Sequence, residues 1–173
     1  MKDYNQYISP FVERFATKEM VALWSPQKKF STWRRCWLAL AEAEKELGLD
    51  ITEEQIEELK NHLDDIDFEQ ARKYEEKTRH DVMAHILTYG DVAPKAKPII
   101  HLGATSCFVT DNTDLILCRE ALILIRNKIV AVLKRLSDFA IKYKDMPALG
   151  LSLIHISEPT RLLSISYAVF CLK

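Results

Sequence analysis

Apolar positions recur at intervals of three and four along most of the chain up to about Lys144, the period of helices that bury one face. Phe30, Trp33, Trp37, Leu40, Ala41 and Leu47 form one such stripe. Ser25-Pro26 opens it as an N-cap with proline at the first helical position, and Gly48 closes it as a glycine just past the helix end. Thr17 caps a shorter helix through Trp24, and Thr52 with Gln55 makes a capping box ahead of Ile56, Leu59 and Leu63. Asp67 starts a short helix to about Glu76. Thr78 with Asp81 opens another that carries Val82, His85, Ile86 and Tyr89. Pro94 to Cys107 is predicted as a loop, broken by Pro98 and Gly103. Asp111 is predicted to cap the last helix, which runs to about Lys144 and stops before Pro147. Its stripe is Leu115, Cys118, Leu122, Ile125, Ile129, Val132, Leu136, Phe139 and Tyr143. That helix is about three times the usual length, and one small domain cannot cover it. Further chain or other subunits must do so. No β-rich pattern or internal repeat interrupts the series, so the predicted fold class is all-α.

The rest of the composition narrows the class. The chain has 173 residues, 48% of them hydrophobic, which is enough for a core and excludes a disordered chain. The longest apolar runs, such as Leu115–Leu117 and Ala121–Ile125, are too short to span a bilayer. No apolar run follows the first residues, Met1-Lys2-Asp3-Tyr4, so no secretory signal is expected and the expected location is the cytoplasm. Basic and acidic residues balance at a net charge of −1 with no basic stripe, which argues against nucleic acid as a partner. Cys36, Cys107, Cys118 and Cys171 lack metal-ligand spacing and are expected to be reduced and mostly buried.

After Gly150 the character changes. Only Glu158, Arg161 and Lys173 are charged in the last stretch, and it follows no helical or strand period. Leu151 through Arg161 and Ile165 through Leu172 back-translate into the two parts of a transposase-type sequencing adaptor, with Leu162-Leu163-Ser164 in the place of a sample index. Residues 151–173 are therefore read as a non-native tail, and His155 and Cys171 are set aside as functional candidates. The alternative is a divergent C-terminus.

Two polar clusters break the helical pattern. Thr78-Arg79-His80-Asp81 stands at a helix start, where free N–H groups beside Arg79 and His80 make an anion site. An ordinary cap with a solvated arginine fits the same residues. His101-Leu102-Gly103-Ala104-Thr105-Ser106 joins a glycine turn to two hydroxyls, a combination that can hold a carboxylate. A turn with self-bonded Ser and Thr fits it too. His80 and His85 are five apart and do not stack on one helical face, and the HExxH metal pattern is absent. His85 is expected to be a surface or packing histidine. Trp24, Trp33 and Trp37 are expected in the core.

Taken in order, the stretches Thr78 to His85 and Ile100 to Cys107, then Phe108-Val109 and Asp111 to Leu115, resemble the adenylosuccinate lyase family of the fumarase and aspartase superfamily. Ser9-Pro10 before Arg14, Phe30 to Arg34 and Leu40 to Glu44 fit the same pattern, so the resemblance covers residues 1–150. It implies an N-terminal helical lyase domain over 1–110. Residues 111–150 would begin a truncated central long-helix bundle. It also implies a reaction, the β-elimination of fumarate from adenylosuccinate to give AMP and from the succinylcarboxamide ribotide of purine synthesis (SAICAR to AICAR). No metal or organic cofactor is implied, and family members are homotetramers.

Carried over residue by residue, Arg14 and Phe15 match a substrate-contacting pair whose second member is usually tyrosine, so Phe15 keeps the ring and loses the hydroxyl. Arg79, His80 and Asp81 match a substrate-binding trio, and Thr105 and Ser106 match the pair that holds a substrate carboxylate. The family's general-acid histidine and its loop serine base have no counterpart in residues 1–150. No catalytic residue is therefore assigned, and this chain alone is expected to be inactive. Two alternatives remain. One is a truncated helical module binding a purine nucleotide or a full-length lyase. The other is a sibling lyase of the argininosuccinate type, against which the Arg79-His80-Asp81 motif argues.

Overall fold

The computed structural model describes residues 9–147. A π-helical turn at Phe11–Phe15 is followed by α1 (Lys18–Leu23), α2 (Pro26–Glu46), α3 (Glu53–Asn61), α4 (Phe68–Thr78), α5 (Asp81–Val92) and α6 (Ser106–Tyr143). The described residues contain no strand, so the architecture is the all-α one that the stripes predict. None of their helices is long and apolar enough to cross a membrane. The adaptor-like stretch 151–173 lies outside the described residues.

Local chemistry sets most of the boundaries. Thr17, Ser25 and Asp67 each accept a hydrogen bond from the backbone N–H three residues on, which satisfies a donor the helix itself leaves unpaired. Thr52 and Gln55 complete both halves of their capping box. Gly48 takes φ +93° just after α2, a conformation that costs glycine little and other residues more.

The chain divides into two units, Met1–Asn127 and Lys128–Lys173. The core of the first is built on α2. Trp33 and Trp37 pack with Ile56 and Leu59 of α3, Val82, Ile86 and Tyr89 of α5, and Ile99, Ile100 and Val109 beyond it. Each tryptophan is at most 1% exposed, and truncating either would cost roughly 3–5 kcal/mol. His85 is a packing histidine. Its ring stacks on Phe30 at 3.7 Å and meets the edge of Trp33 at 5.5 Å. Burial first, and then the charge of Arg34, lower its pKa to about 4. Tyr89 donates to the Leu59 carbonyl at 2.6 Å. Arg34, 2% exposed, lies over the Tyr89 ring at 4.4 Å, pairs with Asp65 at 3.0 Å and donates to the His62 carbonyl, tying α2 to the segment after α3.

Four expectations need correction. Trp24 is 48% exposed at the C-cap of α1, where its indole donates to Met20 Sδ at 3.3 Å. Leu47 falls on the C-cap of α2 and turns outward. Among the described cysteines only Cys36 is buried, beside Thr113, while Cys107 and Cys118 are exposed and all three are free thiols.

The fourth concerns α6, which starts at Ser106 rather than after Asp111. Thr110 and Asn112 do not stop the helix. Their side chains donate to the carbonyls of Ser106 and Phe108, one turn back, at 3.2 and 2.6 Å. The face that α6 buries is Val109, Thr113, Leu117 and Ala121, with a half-exposed Lys28–Glu120 ion pair at 2.9 Å beside it. The stripe predicted from Leu115 onward lies elsewhere on the helix, and Leu115, Leu122 and Ile125 are exposed.

In the second unit, the described residues are the end of α6 and the turn after it. Ile129, Val132, Leu136 and Phe139 are exposed there, and the rings of Phe139 and Tyr143 lie 4.7 Å apart.

Candidate functional site

The first polar cluster sits where α4 hands over to α5. Arg79 ends α4 in the left-handed conformation, φ 56°, with its N–H bonded to the Glu75 carbonyl at 2.8 Å. Thr78 does not cap α5 as the sequence suggests. It is still the last residue of α4, and its hydroxyl donates to the Tyr74 carbonyl at 2.9 Å. The cap falls to His80, whose Nδ1 accepts from the Met83 N–H at 3.4 Å. Asp81 opens the helix, and its carboxylate accepts from the Val82 N–H at 2.7 Å.

The second cluster supplies the partner. His80 Nε2 stands 3.2 Å from Ser106 Oγ. With Nδ1 occupied as an acceptor, the neutral ring carries its proton on Nε2 and donates it to the serine. Asp81 Oδ1, 3.5 Å from Nδ1, becomes a partner only when that nitrogen is protonated. Because Ser106 is the first residue of α6, the N-termini of α5 and α6 meet at this pair. Helix N-termini carry partial positive charge, so their meeting favours a bound anion, with the Val82 and Met83 N–H groups already taken by Asp81 and His80. Thr105, exposed, immediately precedes Ser106.

Backbone strain falls in the same two clusters. Arg79 and His101 are the only non-glycine residues with positive φ among those described, one in each cluster. His101, at φ 67°, accepts the Trp37 indole N–H on Nδ1 at 2.9 Å. Burial is the largest cause that holds its pKa below the usual imidazole range. The sequence places His101 in the second cluster without a role and Trp37 only in the core stripe. A histidine two residues before a glycine turn was the available signal for the first, and nothing in the chain signals the second.

Arg14 and Phe15 are not joined to this site. Both lie exposed on the π-helical turn, and their side chains form no hydrogen bond or ion pair with the two clusters. No group of three or more His, Cys, Asp or Glu suited to a metal ion occurs among the described residues.

No family model matches the chain. Individual proteins do. The adenylosuccinate lyase of Schizosaccharomyces pombe is 54% identical over 153 residues, covering 87% of this chain and 32% of that protein. The adenylosuccinate lyase of Saccharomyces cerevisiae is 53% identical over the same span. Over most of its length the chain is homologous to adenylosuccinate lyases. The adenylosuccinate lyase of Schistosoma mansoni, at 43% identity over 160 residues and 92% of this chain, extends the likeness beyond fungi. The chain spans about a third of the length of the curated relatives it matches.

Proposed function

We propose that this chain is the N-terminal part of an adenylosuccinate lyase, a C–N lyase that eliminates fumarate from adenylosuccinate to give AMP and from SAICAR to give AICAR. The single observation that carries the proposal to this site is the meeting of two helix N-termini at His80 and Ser106, 3.2 Å apart. Fumarate-forming elimination needs a proton removed beside a carboxylate, and the carbanion that results spreads its charge into that carboxylate. A site rich in hydroxyl, N–H and imidazole donors stabilises that charge as it develops. In this assignment Thr105 and Ser106 hold the carboxylate. Arg79, His80 and Asp81 bind and orient the substrate, and Arg14 and Phe15 add contacts from the N-terminal turn. The proton-transfer acid and base come from chain beyond these residues, so residues 1–173 alone do not turn over substrate. No cofactor takes part.

The working protein in this proposal is a cytoplasmic homotetramer acting on small molecules, with neither nucleic acid nor membrane as a partner. Residues 111–150 begin its central long-helix bundle, and the exposed apolar residues of α6 fit a helix covered by neighbours in such a bundle. The test is an assay of the full-length gene product with adenylosuccinate, reading fumarate and AMP by chromatography, beside the 173-residue chain. Turnover by the former and none by the latter is the expected result. A folded full-length protein that releases no fumarate from either substrate would overturn the proposal.

A further inference from the structure

We propose that Trp37, a core residue of α2, is a positioning residue of this site: its indole N–H fixes His101 as the Nε2–H tautomer, so that the ring enters the loop before Thr105 and Ser106 as a hydrogen-bond donor for a substrate carboxylate. The inference rests on the proposed lyase assignment for its substrate, but not for its geometry.

The chemistry of the pair is one-sided. An indole N–H only donates, and it lies 2.9 Å from His101 Nδ1. Nδ1 must therefore present its lone pair, and the single proton of the neutral ring goes to Nε2. The rings meet edge to face, at 88° and 6.0 Å between centroids, which holds the imidazole plane as well as its tautomer.

Burial alone does not demand this bond. Trp33, on the same helix and as deeply buried, has an indole nitrogen with no hydrogen-bond partner. The contact at Trp37 also reaches across 64 residues to a backbone in an unfavourable conformation. His101 sits at φ 67°, a left-handed conformation that is unfavourable for a residue with a Cβ. Gly103, at φ 63°, completes the turn, and a Cβ there would lie 3.6 Å from Glu44 Oε1 of α2. The loop is thus tied to α2 through the Trp37 indole, and Trp37 is 1% exposed. A strained loop tied to a rigid helix is how a donor is held ready before a ligand arrives.

Imidazole nitrogen NMR on the 15N-labelled chain at neutral pH tests the tautomer directly. The expected spectrum has His101 Nε2 protonated and Nδ1 bare. Trp37→Phe, which keeps an aromatic ring and removes the donor, should give a mixture of the two tautomers with the helical circular dichroism retained. A proton on Nδ1 in the unsubstituted chain overturns the inference, whether or not the variant folds. So does a variant spectrum identical to the original.

The second arm uses the full-length protein. There Trp37→Phe should lower kcat/KM about tenfold, and unchanged kcat and KM would refute the positioning role. Absence of lyase activity in the unsubstituted full-length protein would instead refute the lyase assignment and leave the tautomer result standing.

Discussion

His80 Nε2 and Ser106 Oγ stand 3.2 Å apart although 26 residues separate them in the chain. Each is the leading residue of a helix, His80 as the cap of α5 and Ser106 as the first residue of α6. Two sequence clusters that would each pass for an ordinary turn thereby become one polar place with two helix dipoles behind it. That convergence, rather than either cluster, is what makes a carboxylate-binding role physically reasonable.

Arg79 precedes His80 in the chain and is the permanent positive charge that the proposed function assigns to substrate binding. In the full-length protein, Arg79→Ala should lower kcat/KM by about a hundredfold or more, the usual scale for a lost charge-assisted contact. Steady-state kinetics with adenylosuccinate decide the matter. An unchanged value would remove Arg79 from the site.

His85 should make the chain less stable in mild acid. Its pKa falls from 6.5 to about 4 on folding, so below pH 6.5 the unfolded state takes up a proton that the folded state refuses. Stability from this group is complete above pH 6.5 and is lost as pH falls toward 4, by on the order of 3 kcal/mol. Urea unfolding at pH 7 and pH 5 should show the drop. His85→Phe, which keeps a stacking ring, should flatten it, and a slope that persists in the variant would assign the effect to other groups.

Tyr89→Phe should destabilise the first unit by about 1 kcal/mol, because the Leu59 carbonyl loses the phenol and keeps only the His62 N–H at 3.2 Å. A shift in the urea midpoint without a change in slope is the expected signature. No shift would mean that water replaces the phenol.

The exposed apolar residues of α6 should make the isolated chain self-associate. Leu115 and Leu122 are 70% and 66% exposed, and neither belongs to the face that α6 buries. Leu115→Glu with Leu122→Glu should reduce association as read by light scattering after size exclusion, with helical content kept. A chain that stays monomeric at high concentration without these changes would count against the prediction.

By itself the sequence determined the series of helices and the caps of α1 to α4, because a capping box such as Thr52 with Gln55, or a glycine such as Gly48, acts within a few residues of chain. It determined that Trp33, Trp37, Val82 and Tyr89 would be core, since a 3.6-residue period needs no partner to be seen. Tertiary structure decided which face of α6 is buried, because Val109 and Thr113 pack where Cys36 and its neighbours on α2 lie, whatever the hydrophobicity of α6 alone. It also decided that Thr78 stays in α4 and leaves the cap to His80, a contest between neighbouring hydrogen bonds that spacing cannot settle. Finally it joined His80 to Ser106 and Trp37 to His101, because contacts across 26 and 64 residues exist only once the helices between them have packed.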